Sequence, residues 1–188
     1  MPLLAETIET VRLTLRKPML SDATHIFAAY GRDPEVARYM IWRPHSRVDQ
    51  TSEFIRGCLE SWKGNDRLPY VLVKRGQSEP IGMLDARLQE HLSDIGYVLA
   101  RPEWGQGFMP EAINALVTKL FALSRIRRVQ ATCDVDNLAS RRTLEKSGFR
   151  PEGRLESYTI HPNISPEPRA CLMYARCHSV ASQVAPFE

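Results

Sequence analysis

Three short runs of strand-forming residues stand almost back to back in mid-chain: YVLVK (70–74), IGMLDARL (81–88) and DIGYVLA (94–100). Only GQSEP and QEHLS separate them, and turn-rich links that short join antiparallel neighbours. The pattern then changes. A loop containing WGQGF leads into a helical stripe of Ile113, Leu116, Val117, Leu120 and Phe121, running from Pro110 to about Leu123, and RRVQATCD (127–134) reads as a further strand. A strand–helix–strand passage makes a parallel crossover, so the sheet must be mixed.

The flanking segments extend this frame. TVRLTLR (10–16) alternates, with Val11, Leu13 and Leu15 on one face, as a half-buried strand does. Ser21 is the expected N-cap of a helix carrying Ile26, Phe27 and Tyr30, and Pro34 the first residue of a short second one. A longer helix after Ser46 runs to about Lys63 with a stripe of Phe54, Ile55, Cys58, Leu59 and Trp62. Residues 138–147 read as a helix stopped by Gly148, and GRLESYTI and ACLMYAR as two last strands. The expectation is an α+β fold: one domain over 8–177, about seven strands in a mixed, mostly antiparallel sheet flanked by helices, and a loosely ordered tail at 178–188. A chain of 188 residues is long enough to bury such a core.

Composition narrows the function classes. With 43% hydrophobic and 25% charged residues the chain is not of disordered type. Its net charge of +3 comes without a basic stripe; the densest cluster is Arg125, Arg127 and Arg128, so nucleic acid is not an expected partner. No apolar stretch approaches the roughly 18 residues of a membrane helix, and MPLLAETIET lacks the pattern of a signal peptide, so a cytoplasmic protein is expected. Cys58, Cys133, Cys171 and Cys177 lack zinc-ligand spacing and are expected as buried free thiols, with no metal.

The stretch RPEWGQGFMPEA (101–112) poses the functional question. A strand ending in Gly-x-Gly before a helix can cradle a phosphate, because glycine lets the anion approach free N–H groups at the helix start. It can equally be a plain turn. A nucleoside-triphosphate loop would need Gly-Lys-Ser/Thr where Gly107, Phe108 and Met109 stand. A dinucleotide fingerprint would need a third small residue in place of Pro110, opening an alternating parallel unit. Neither fits.

A second segment follows the next strand: Asn137-x-x-Ser140, then Ser147-Gly148-Phe149. Together with Trp104 to Ala112 it resembles the GNAT superfamily of N-acetyltransferases, and within it the RimJ/RimL-like branch of ribosomal-protein N-terminal acetyltransferases. The likeness runs from Thr10-x-Arg12-Leu13-x-Leu15-Arg16, through Ile95-Gly96-Tyr97, to Met173-Tyr174-Ala175-Arg176. Trp104 and Met109 depart from the broad superfamily but occur in that branch.

The resemblance implies acetyl-CoA as co-substrate. Trp104, Gly105, Gln106, Gly107, Phe108 and Met109 would form the pyrophosphate loop, and Val98 and Leu99 would pair with the pantetheine arm. Asn137 would hydrogen-bond that arm, and Ser140 would lie near the sulfur. It also implies direct acetyl transfer to a primary amine in a ternary complex. The acceptor would be a ribosomal-protein N-terminus or a small-molecule amine, and the branch leaves room for a homodimer. A non-catalytic acyl-CoA sensor on the same fold is the alternative.

Amine acetylation needs a neutral amine and a proton for the departing thiolate. Candidate acids are Ser140, which could instead only contact cofactor, and Tyr158, which could instead pack in the core. Candidate bases are Glu156, Glu103 and Asp94, each of which also suits a solvated face or a turn. Trp42 and Arg43 could line an acceptor groove, with core packing the alternative for Trp42. The five histidines are scattered, and there is no G-x-S-x-G nucleophile elbow.

Overall fold

The computed structural model describes residues 3–178. The expected tail at 178–188 therefore lies, apart from His178, outside the described residues. The described residues form eight strands and five α-helices. β1 (Thr7–Glu9) and β2 (Leu13–Arg16) come first, then α1 (Ala23–Ile26), α2 (Pro34–Ala37) and α3 (Val48–Gly64). The meander of β3 (Arg67–Lys74), β4 (Pro80–Leu88) and β5 (Leu92–Leu99) follows. Beyond it lie α4 (Phe108–Phe121), β6 (Arg128–Asp134), α5 (Leu138–Lys146), β7 (Arg150–Thr159) and β8 (Arg169–Cys177).

All eight strands share one sheet in the order β1-β2-β3-β4-β5-β6-β8-β7. Pairing is antiparallel except between β5 and β6, where α4 makes the crossover. The sheet has one strand more than the sequence suggests. TVRLTLR is not continuous: its first residues turn, with Thr10 N–H donating to the Leu13 carbonyl, so that Thr7–Glu9 folds back as β1 along β2. Val11 sits on this turn, 84% exposed, rather than on the core face.

Two layers of side chains cover the sheet. On one face Leu84, Ile95 and Val129 pack against α4 residues Ile113, Leu116, Val117 and Leu120, and against Leu144 of α5. On the other, Val71, Val73 and Met83 meet Ile26, Tyr30, Ile55 and Cys58 of α1 and α3. The caps follow local chemistry. The Asp33 carboxylate accepts the Glu35 and Val36 N–H groups ahead of Pro34. At α1 the N-cap position is Asp22 rather than the expected Ser21, because residues 20–22 already turn ahead of the helix; its side chain makes no capping bond to α1 but accepts the Met19 N–H and pairs with Arg16. Cys58, Cys133 and Cys171 are buried free thiols, but Cys177 is exposed at the end of β8. No helix among the described residues is long and apolar enough to cross a membrane.

Candidate active site

β4 holds β5 along its whole length, from Gly82↔Leu99 to Leu88↔Ser93. β6 does not. Its parallel pairing with β5 ends after Leu92↔Arg128, Ser93↔Val129 and Asp94↔Gln130, while β6 itself continues beside β8 to Asp134↔Cys171. The two strands therefore diverge into a V, with residues 95–99 as one arm and 131–134 as the other. Glycine at 82 is part of the cause: a Cβ there would lie 2.5 Å from the Val98 carbonyl oxygen, so no larger residue lets β5 lean this closely onto β4.

The V exposes backbone hydrogen-bonding groups. Ala100 N–H donates to the Ile81 carbonyl, on the β4 side. Alternate residues of an antiparallel strand turn their polar groups to opposite sides, so Leu99 and Tyr97 present theirs to the V. The Leu99 carbonyl accepts the Trp104 indole N–H at 2.8 Å. The Leu99 N–H and both Tyr97 backbone groups face an edge with no strand beside it. Val98 points its side chain to the opposite face, against the cluster around α1 and α3.

The glycine loop joins this arm to α4. Gly105 and Gly107 have φ of 77° and 79°, a region that L side chains seldom adopt, and no atom lies within 4 Å of a Cβ built at Gly105. Gly107 is the N-cap, so the helix starts at Phe108 and Pro110 is its third residue, not its first. Phe108 and Met109 bury their side chains and leave their N–H groups at the open helix end; Pro110 has none, and Glu111 N–H donates to the Gly107 carbonyl. Proline is tolerated there because first-turn N–H groups have no helical partner.

Side chains distant in sequence brace the loop. Arg12, on the turn just before β2, donates from Nε to Glu111 at 2.6 Å and from Nη1 to the Gln106 carbonyl at 3.0 Å, and lies 4.6 Å above the Phe108 ring. Glu111 also accepts the Thr10 hydroxyl and the Arg12 backbone N–H. Burial alone would raise the Glu111 pKa, but these hydrogen bonds outweigh it and hold the carboxyl below its ordinary value. Gln106 turns back on its own loop, donating to the Pro102 carbonyl.

The second arm ends in α5. Asn137 caps this helix, its Oδ1 accepting the Ser140 N–H at 3.1 Å, which leaves the amide NH2 to donate outward. Ser140 Oγ lies 2.7 Å from the Tyr97 hydroxyl, so a side-chain hydrogen bond spans the two arms.

The candidate bases are dispersed. Glu103 is paired with Lys74 at 2.7 Å, and Asp94 accepts the Gln130 amide in the paired part of β5. Glu156 is exposed and paired with Arg154. It stands with the 51%-exposed Tyr158 in a bulge of edge strand β7, where Ser157 has φ of 48°. With β8 between them, β7 is two strand spacings, about 10 Å, from β6. Tyr158 is thus not a core residue, and neither residue lies on an arm of the V.

Beyond the second arm, loops close the site. The Asn163 amide donates to the carbonyls of Ala37 (2.6 Å) and Trp42 (2.8 Å), tying the β7–β8 connection to the segment after α2. Tyr39 OH reaches the Asp136 carbonyl at 3.3 Å. Under this seam Arg169 grips the buried Asp134 at 2.6 and 3.1 Å, and the buried His161 lies 3.6 Å from the same carboxylate. An open cleft of about 470 Å³ runs between Pro34, Glu35, Arg38, Arg43, Pro162 and Asn163. Trp42 is half-buried with its ring 5.5 Å from that of His45, whereas Arg43 lines the cleft. A cavity of similar size, about 490 Å³, borders the β4–β5 turn at the opposite end of the sheet from the V.

Glu111 and Asn163 emerge only here as residues that shape the site, while Arg12 and Tyr97 lie in segments that carry the family likeness but gain their partners only in the fold.

The acetyltransferase (GNAT) domain family matches residues 12–150. An uncharacterized N-acetyltransferase p20 of Bacillus licheniformis is 35% identical over 157 residues, covering 81% of this chain and 87% of that protein. A crystal structure of a GNAT-family acetyltransferase from Bacillus anthracis is 25% identical, with a TM-score of 0.79 over 91% of this chain and 98% of that one. RimL, a ribosomal L7/L12 alpha-N-protein acetyltransferase solved with coenzyme A, shares the fold at 23% identity; its TM-score is 0.81 over 92% of this chain and 98% of its own.

Proposed function

This chain belongs to the GNAT acetyltransferase family, and from that premise we propose that it passes the acetyl group of acetyl-CoA directly to a primary amine bound beside it. The observation that carries the reading is the parting of β5 from β6 next to the open N-terminus of α4. An amide-bearing arm such as pantetheine can complete the missing ladder against Tyr97 and Leu99, as an added strand does. A pyrophosphate suits the Phe108 and Met109 N–H groups, where the helix dipole favours an anion. In this reading Trp104, Gly105, Gln106 and Gly107 set the shape of that cradle, Arg12 and Glu111 hold it, and the Asn137 amide donates to the arm. Ser140, at the meeting of the arms, supplies the proton that the departing thiolate takes.

Acceptor chemistry follows from the dispersal of the carboxylates. Asp134, the carboxylate on the second arm, is taken up by Arg169, and none of the candidate bases among the described residues lies on the V; in this reading water takes the ammonium proton, and the amine must be partly neutral before it attacks. An α-amine, pKa about 8, is roughly one-tenth neutral near pH ~7, whereas a lysine amine at about 10.4 is neutral in fewer than about one molecule per thousand. A protein or peptide N-terminus is therefore the favoured acceptor, a ribosomal-protein N-terminus among them. Acetyl-CoA at about a hundred times its Kd should raise the melting temperature by about 5–10 °C. CoA release should then appear with free N-terminal peptides and not with their blocked forms. No stabilisation at millimolar acetyl-CoA would sink the reading; stabilisation without release from peptides or small amines would favour a sensor.

A further inference from the structure

We propose that the Tyr97 hydroxyl is a two-position donor that stores the Ser140 proton and frees it toward the thioester sulfur, making Tyr97 a positioning residue for the transfer. This rests on the acetyltransferase reading above. The Tyr97 oxygen lies 2.7 Å from Ser140 Oγ and 3.2 Å from the Ser140 carbonyl oxygen. Two proton arrangements fit these distances. In one, Ser140 donates to Tyr97 while Tyr97 donates to the carbonyl, so both hydroxyl protons are satisfied and the serine proton points away from the V. In the other, Tyr97 donates to Ser140 Oγ, and the serine proton is free to point elsewhere. A concerted rotation of the two O–H groups, with no heavy-atom movement, exchanges them.

The second arrangement is the one the reaction needs. As the amine nitrogen bonds to the acetyl carbon and the carbon–sulfur bond breaks, the sulfur takes the Ser140 proton. Ser140 recovers a proton from the nitrogen, so amine and acetyl-CoA become amide and CoA thiol with the serine unchanged. Throughout, Tyr97 donates to Ser140 Oγ and offsets the negative charge that gathers on that oxygen. It does so without ionising, because burial pushes its pKa well up. The neighbouring Cys133 thiol, pushed up to about 11 chiefly by burial, stays protonated at neutral pH and so is not a base for the serine proton, although its sulfur lies within hydrogen-bonding reach of Ser140.

The test compares wild type, Tyr97→Phe, Ser140→Ala and the double variant in CoA release, with CoA affinity and melting temperature measured alongside. Loss of one hydrogen bond to a charge-gathering oxygen predicts a fall in kcat of about tenfold or more for Tyr97→Phe. CoA affinity and the acetyl-CoA KM should stay within about twofold. The double variant should be no slower than Ser140→Ala, because the tyrosine acts only through the serine. An unchanged kcat, a loss of CoA affinity matching the loss of rate, or additive effects in the double variant would each overturn the proposal. Should Tyr97→Phe melt early, the cycle still decides, since Ser140→Ala breaks the same bond from the other side and must then equal the double variant in rate. Wild type that releases no CoA would instead remove the acetyltransferase reading itself.

Discussion

The V and the loops beyond its second arm are built from different materials. The side formed by β5, the glycine loop and the start of α4, which the proposed function gives to the donor, offers backbone: N–H groups of Leu99, Phe108 and Met109 held by glycine conformations and a broken ladder. The loops around Ala37, Trp42 and Asn163, which the same proposal gives to the acceptor, offer side chains pinned by long-range contacts, such as Asn163 to Ala37 and Trp42. A backbone site is the same for every sequence that keeps the fold, which suits a common donor. A side-chain site changes with each substitution, which suits a variable acceptor. Damage should therefore separate: changes on the donor side lower CoA affinity, and changes on the acceptor side spare it.

Gly107→Val is the hardest blow to the donor side. Valine at φ of 79° must strain or reshape the loop and withdraw charge-assisted N–H donors worth about 1.5–3 kcal/mol. CoA affinity should fall about ten- to a hundredfold. Fold stability should drop by only about 1–2 kcal/mol, the cost of a left-handed residue, because the sole atom near an added Cβ is Arg12 Nη2 at 3.5 Å. Calorimetric titration and a urea melt measure the two numbers, and unchanged affinity would return the loop to being a turn.

Asn163→Ala probes the opposite side. It removes two hydrogen bonds and should cost about 1–2 kcal/mol of stability while raising the acceptor KM severalfold. CoA affinity should not move; a parallel loss there would erase the distinction between the two sides.

The smallest effect is on pH. Burial, opposed by Asp134, lowers the His161 pKa below its unfolded value. As pH falls through about 6.5, the unfolded chain binds a proton that the folded chain resists, so stability declines. Urea midpoints between pH 7.5 and 5.5 should therefore drop, and less steeply in His161→Gln. His45, shifted the same way by burial, accounts for slope that remains. A variant with the full wild-type slope would mean that His161 is not the acceptor-side titrating group.

Much of this architecture was readable from residue order. The meander 70–100, the crossover helix, the helix from Leu138 and the glycine loop follow from side-chain periodicity and local backbone preference. These act within a turn or a strand and need no knowledge of the rest of the chain. The misreadings have equally local causes. Proline's preference for the first helical position puts Pro110 at the helix start, but Gly107 already caps the helix three residues earlier. The β1 strand was missed because alternation across TVRLTLR hid the turn at Thr10.

What only the tertiary structure decided is the partner of each polar group. Tyr97 meets Ser140 across 43 positions and Arg12 meets Glu111 across 99. Asp94, Glu103 and Glu156 look alike as lone carboxylates, yet the fold gives them Gln130, Lys74 and Arg154. The V itself is of this kind: nothing in DIGYVLA or RRVQATCD says that their ladder ends after three pairs. Sequence determined the elements and the loop because the forces that make them are short-ranged. The open sheet and the Tyr97–Ser140 contact across it depend on where distant segments come to rest, and only the packed chain sets that.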